Sequence, residues 1–420
     1  MHPKNKLILI LIVIAALGLG YDHYRNGRRL MSITSTPTLM QFAPSASTTE
    51  QSATSATATA TVPKPTEKAV PEKPATRHTE TVGVIIPLSG PQAVYGQGIK
   101  EGLDLAAKGV NDTETFGIRI KLVYEDTRSD VKNAPAAARK LISTDHAVAL
   151  ITGTSPVSLA VAPIAEETHT VLFTMASLAT KLNSAGAYVF KNDDVSSKIG
   201  MALADEARKR GFASAGTLFA TYNDAVVEYN EAFAKAFAEK GGTVTGSEGF
   251  TQDATDFRTQ IQKLIAAGPA TIAVMGLQRD CAIAVRQIRE LGYGNQLFGY
   301  TCFDDPGTLA AAGNAAEGII MNGYNGTPTP LFSGLVKKAY GHEPLRWSAE
   351  AFDGMKLLAI AISRSYDREH PVSPTTLKDT LSSVNGYSGE AGHAEFDKDG
   401  NASRESYVKT VKDGKIELVK

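Results

Sequence analysis

From Thr81 onward, short runs of β-branched and aliphatic residues alternate with longer segments whose apolar residues return every three or four positions. The short runs predict strands at 81–87, 118–125, 147–152, 170–175, 213–220, 243–248, 270–276 and 318–323. Between them, Ile99, Leu103, Ala106, Ala107 and Val110 form one helical stripe, and Tyr229, Phe233, Ala236 and Phe237 form another. Strand and helix in strict alternation predict βαβ units around parallel sheets, with each helix turning one apolar side to a sheet. The first eighty residues read differently. Lys4 and Lys6 precede the apolar run 7–20, with Gly18-Leu19-Gly20 as a candidate cleavage site, which is the pattern of an export signal. Tyr21, Tyr24, Arg25, Arg28 and Arg29 suit an interfacial anchor equally well, so residues 1–31 are a signal peptide or a membrane anchor. Residues 32–80 are rich in Ser, Thr, Ala and Pro and bury too little apolar surface to offset chain entropy, which predicts a disordered linker.

Composition narrows the function. With 43 Lys+Arg against 44 Asp+Glu, the 420-residue chain has a formal charge of −1. Such a chain has no basic field for nucleic acid. Two Cys and one Trp exclude a disulfide-dense scaffold and a multi-Cys zinc module. Cys281 and Cys302 both fall near the same predicted sheet end, and an exported chain permits either a disulfide or two buried thiols.

In open α/β sheets ligands bind beyond the carboxyl ends of the strands. The predicted loops there are Leu88 to Gly96, Gly153-Thr154-Ser155-Pro156, Ala176-Ser177-Leu178-Ala179, Tyr222-Asn223-Asp224, Gly276 to Arg279 and Tyr300-Thr301-Cys302. Small hydroxyl residues crowd the loops of the first half, a composition that can hydrogen-bond a carboxylate without carrying charge. Other chemistries find no support. Gly96-Gln97-Gly98 with Gly102 has one residue too many for a dinucleotide fingerprint and lies within a helical stripe. No Walker A sequence, hydrolase elbow, His-x-x-x-His or Cys-x-x-Cys occurs. Glu395, Asp397, Asp399 and Gly400 begin like a calcium loop, but Ser406 stands where a bidentate Glu belongs, so an Asp-Gly turn is expected. No cofactor, metal or catalysis is expected.

The strand-Ser-Gly-Pro-x-x-x-Tyr-Gly opening at 89–96, Val161-Ala162-Pro163-Ile164-Ala165-Glu166-Glu167, Ala316-Glu317-Gly318 and Phe396-Asp397-x-x-Gly400 occur in this order. Together they resemble the leucine/isoleucine/valine-binding family of type I periplasmic binding proteins, from about Thr81 to Lys420. The resemblance implies two Rossmann-like lobes joined by three crossovers, 81–196 plus 325–392 and 197–324 plus 393–420. It implies closure on a branched-chain or other amino acid, or a related small carboxylate or amide, delivered to an ABC permease. The location implied is periplasmic or otherwise extracytoplasmic, with residues 7–21 as a possible tether. By the same resemblance, Thr154, Ser155, the Ala176 backbone and Ser177 receive the ligand's carboxylate, and Tyr95 and Trp347 flank it; N-capping by Ser155 and core packing of the aromatics are equally compatible. Tyr222, Leu277, Thr301 and Asp304 complete the second side. The sequence departs from the family there: Thr301 stands where a Glu meets the ammonium group, and Leu277 replaces an aromatic. Either Asp304 or Asp224 substitutes, or the ligand has no ammonium. A membrane-tethered sensory or interaction module built on the same fold is the alternative, motivated by the long linker.

Overall fold

The structure, a computed structural model, describes residues 77–324, 328–366 and 372–419. The expected signal or anchor and nearly all of the linker lie outside them. Among the described residues no helix is long and apolar enough to cross a membrane.

The first half of the chain runs β1 (His78–Ile86), α1 (Ala93–Asn111), β2 (Ile118–Asp126), α2 (Ala134–Ser143), β3 (Ala149–Thr152), α3 (Ser155–Glu167), β4 (Val171–Thr174) and β5 (Val189–Lys191). These strands form a five-stranded sheet in the order β2-β1-β3-β4-β5, every pair parallel. All four residues of β3 and of β4 are buried, as central parallel strands covered on both faces must be. Edge strand β2 opens with Ile118 and Ile120 inward and Arg119 and Lys121 outward, the period-two pattern of a half-covered strand.

The second half repeats the plan: α4 (Ser196–Lys209), β6 (Ser214–Ala220), α5 (Asp224–Glu239), β7 (Thr243–Phe250), α6 (Arg258–Ala266), β8 (Thr271–Met275), α7 (Gln278–Glu290), β9 (Leu297–Gly299), α8 (Pro306–Ala312) and β10 (Ile320–Tyr324). The remaining elements are α9 (Pro330–Tyr340), α10 (Ser348–Ser365), α11 (Pro374–Ser382), β11 (Gly386–Gly389), β12 (Gly392–Phe396), β13 (Ala402–Arg404), β14 (Ser406–Lys412) and β15 (Lys415–Leu418). The second sheet has the order β15-β14-β10-β9-β8-β6-β7, parallel from β10 to β7 and antiparallel at β14 and β15. Strands β11, β12 and β13 make a small antiparallel sheet.

The result is a two-lobed α/β protein with three chain crossings. The chain leaves the first sheet after β5, returns when α10 packs on α1, and crosses again from β13 to β14. Contact between α1 and α10 is backbone-close: a Cβ added at Gly98 or Gly102 would collide with the carbonyl oxygens of Arg346 and Ser348. At Gly96 an added Cβ would meet the Pro87 carbonyl oxygen. The glycines that imitate a nucleotide fingerprint therefore serve packing. The calcium-like segment is a turn, with Asp397 Oδ1 accepting the N–H groups of Asp399 and Asn401, each at 2.9 Å.

The crossings are tied by buried polar groups. Arg404 donates from Nε to the Asn192 carbonyl oxygen and from Nη2 to Asn192 Oδ1, both at 2.9 Å, while Asn192 Nδ2 donates to the Glu350 carbonyl oxygen at 3.0 Å. Arg346 and Glu350 form a buried ion pair one turn apart. Burial disfavours the charged form of Glu350, yet Arg346 and Arg404 hold its pKa below the ordinary value. Asp193 lies in the same hub, fully buried, with neither carboxylate oxygen hydrogen-bonded.

Candidate functional site

In each sheet the strand order reverses once, between β1 and β3 and between β6 and β8, and at such switch points the following loops splay apart to leave a crevice. The two crevices face each other. Ser155, Ala176 and Leu178 follow β3 and β4 of the first sheet; Asn223, Ala225, Gly276, Leu277, Gln278, Tyr300, Thr301 and Cys302 follow β6, β8 and β9 of the second. Tyr95 from α1 and Trp347, just before α10, complete one pocket.

Within it, the Tyr95 hydroxyl donates to the Ala176 carbonyl oxygen at 2.6 Å, which fixes the ring against the loop after β4. The Tyr95 and Trp347 rings lie 5.8 Å apart, tilted by 48°, and the Arg346 guanidinium stacks 3.7 Å from the Trp347 ring centre. Burial pushes the Tyr95 and Tyr300 phenols up, Tyr300 to about 12, so both are neutral donors. Ser155 does not cap its own helix: its Oγ accepts the Ala179 N–H at 3.2 Å, which leaves the hydroxyl proton to donate. Asn223 caps α5 by accepting the Ala225 N–H at 3.0 Å. The lining is thus hydroxyl, amide, aromatic and aliphatic, and it includes no charged side chain.

Six of the ten residues expected at the site line this pocket: Tyr95, Ser155, Ala176, Leu277, Thr301 and Trp347. The other four are placed elsewhere. Ser177 is fully buried and shares a 2.6 Å hydrogen bond with Ser158, itself 2.7 Å from Thr152 Oγ1, so this hydroxyl chain points into the first lobe. Thr154 gives its carbonyl oxygen to the Ser158 N–H at the start of α3. Tyr222 donates to Asp280 and lines an outer chamber. Asp304 is ion-paired with Lys409 at 2.8 Å in a buried position, where burial pushes its pKa up although Lys409 and Arg346 oppose this. The other acid considered for an ammonium, Asp224, pairs with Lys181 at 3.0 Å.

Leu178, Asn223, Gln278 and Tyr300 also line the pocket; the sequence places them in the strand-end loops but does not single them out as ligand residues, and it missed the hub around Asn192 and Asp193 behind the pocket. The hub left one signal: Lys191-Asn192-Asp193-Asp194, four polar residues directly after apolar Val189 and Phe190. Cys281 and Cys302 form a disulfide, with Cα atoms 6.5 Å apart. It ties the start of α7 to the turn carrying Thr301, two parts of the pocket rim. Closing a 21-residue separation contributes about 3 kcal/mol in the chain-entropy account.

Two doubly wound sheets that turn their strand ends on one shared pocket, with three chain crossings behind it, define a type I periplasmic binding fold. The chain belongs to the periplasmic binding protein family, whose profile matches residues 79–415. Among similar proteins, the Leu/Ile/Val-binding protein homolog 2 of Brucella abortus is 25% identical over 343 residues, covering 78% of this chain and 88% of that one. The leucine-binding protein LivK of Thermotoga maritima is 26% identical with a TM-score of 0.75, covering 81% of this chain and 98% of that one. A solute-binding protein of an ABC transporter from Rhodopseudomonas palustris, in complex with 3,4-dihydroxybenzoic acid, shares the fold at 22% identity and a TM-score of 0.74, covering 81% and 96%.

Proposed function

We propose that this protein is the extracytoplasmic solute-binding component of an ABC transporter, which closes two lobes over a small carboxylate and presents it to a membrane permease without chemical change. The observation that carries this reading is the convergence of both sets of strand ends on one pocket lined by neutral donors. The bonds between lobes fit a closing motion: the Thr180 N–H donates to Glu228 at 2.7 Å, Lys181 pairs with Asp224, and Gln252 Nε2 donates to the Ser129 carbonyl oxygen at 2.7 Å. The sequence-based lobe boundaries serve the proposal with one adjustment. Position 392/393 divides the β11–β12 hairpin, so the third crossing is set at Glu405, between β13 and β14.

The uncharged lining favours an acid without an ammonium group over a zwitterionic amino acid. A buried ammonium needs a carboxylate partner, and Asp304 and Asp224 are already paired. Retention of residues 7–21 as a membrane tether belongs to the proposal, supported by the linker that follows them. Calorimetric titration with leucine, isoleucine, benzoate, dihydroxybenzoate, short fatty acids and amides tests the reading. Micromolar or tighter binding of one acid is expected; an absence of heat across the panel overturns it.

A further inference from the structure

The pocket at the strand ends has an internal volume of only about 10 Å³. That is room for about one water, far less than any amino acid or aromatic acid requires. Outward past Tyr95, Leu277 and Gln278 it continues into a chamber of about 480 Å³, within the ~300–1,000 Å³ of small-molecule sites. We propose that this outer chamber holds the body of the ligand, and that the ligand is an elongated acid: one carboxylate at the inner rim, an apolar middle, and a second anionic group at Arg286. The inference rests on the solute-binding reading above and narrows its substrate class.

Helix α7 forms one wall and shows the chamber a stripe at helical spacing: Arg279, then Ala282 and Ile283, then Arg286. From Gln278 at the inner rim to Arg286 is a rise of about 12 Å, the span of an extended diacid of medium chain length. Val94 faces the same space from the first turn of α1, and half of its surface is exposed, an uncommon position for a valine unless something apolar covers it. The chamber's charges are unequally committed. Asp280 accepts from the Tyr222 hydroxyl and from the N–H of Leu277 at 3.4 Å, and Asp253 lies 4.0 Å from Arg279. Among the described residues no carboxylate lies within 4.0 Å of Arg286, so it is the chamber cation left for a ligand.

The test is titration of the full chain, and of Arg286→Ala and Arg286→Glu variants, with suberate, with octanoate as the equally long monoacid, and with benzoate and leucine. Suberate is expected to bind about tenfold more tightly than octanoate, and Arg286→Ala to remove that preference while leaving octanoate unchanged. Arg286→Glu should lower suberate affinity further. Equal binding of suberate and octanoate, or equal loss of both in Arg286→Ala, overturns the assignment of Arg286. If benzoate or leucine binds while length and Arg286 have no influence, only this inference fails; if no acid binds, the solute-binding reading falls with it. Unchanged thermal unfolding of the variants, expected for an exposed side chain, excludes misfolding as the cause.

Discussion

Trp347 is the residue in which backbone, packing and site meet. Its φ of 73° places a bulky side chain in the left-handed region, a conformation that costs of order 1–3 kcal/mol and persists only where surroundings impose it. Here the surroundings are Tyr95 and Arg346 on the ring, which is 3% exposed. Removing the ring and removing the strain are separable. Trp347→Ala loses the packing and keeps an unfavourable φ, whereas Trp347→Gly loses the packing and relieves the backbone. Both variants should be less stable than the parent, with Gly more stable than Ala by about 1 kcal/mol, read from urea midpoints. The reverse order would show that φ is not strained at this position. As the sole tryptophan, lining the pocket, Trp347 also makes its fluorescence a direct reporter of binding. Its position was legible only through resemblance, because nothing in the sequence around it announces a left-handed residue. Ser177 shows the converse limit. Loop membership is readable from sequence, but which way a side chain in a four-residue loop turns is decided by hydroxyl partners such as Ser158, nineteen residues away.

At the scale of elements, the parallel strands were the most legible feature. Strands such as β3 and β8 are buried along their whole length and therefore read as unbroken apolar runs. Strands β5 and β9 have three residues each, too few to stand out from their flanks; β11 and β12 mix polar residues and glycine, and β13–β15 carry many polar and charged residues, all in an antiparallel setting. The stripe on α1 was legible, but its glycines were not, since a glycine needed for a close approach looks like one needed for a phosphate. The structure separates the two. Gly98 and Gly102 lie one turn apart on the face that meets α10, and no side chain fits between Gly102 and the Ser348 backbone. Gly102→Ala would ordinarily favour a helix by about 1 kcal/mol. Here the added methyl must push α10 away, so a net destabilisation of about 1–3 kcal/mol is expected, larger for Val. Because α10 begins beside Trp347, the same substitution should weaken ligand binding. Gly109 on the same helix, with open space around it, is the control, and Gly109→Ala should be neutral or stabilising.

For the whole molecule, the three crossings concentrate ionisable groups where the lobes join, and this sets how stability responds to pH. Burial outweighs the attraction of Arg404, Arg346 and Lys191 and, with Glu350 repelling, pushes the Asp193 carboxyl up to about 7. Burial likewise pushes the Asp353 carboxyl up to about 6, against the N–H groups of Ala391 and Glu390. Lys191, buried near Asp193 and Asp194, is brought down to about 8 by the same cause. Between the ordinary carboxyl pKa near 4 and these raised values, the folded protein holds protons that the unfolded chain has released, so stability falls as pH rises. Between about 8 and the ordinary lysine value near 10.4, the unfolded chain holds a proton the folded protein lacks, so stability rises with pH. The hub therefore places a minimum in its contribution near pH 7–8. Urea unfolding from pH 4 to pH 10 should show it. Asp193→Asn should flatten much of the acid-side fall, and Lys191→Met the alkaline rise. A parent protein that gains stability steadily from pH 4 to pH 7, with Asp193→Asn unchanged in slope, would show that Asp193 is charged throughout. The same proton reaches the site, because Asp193 acts electrostatically on Tyr95 and Tyr300, whose rings line the pocket. An anionic ligand held there favours the protonated carboxyl, so its affinity should fall as pH rises through about 7, and Asp193→Asn should remove that dependence.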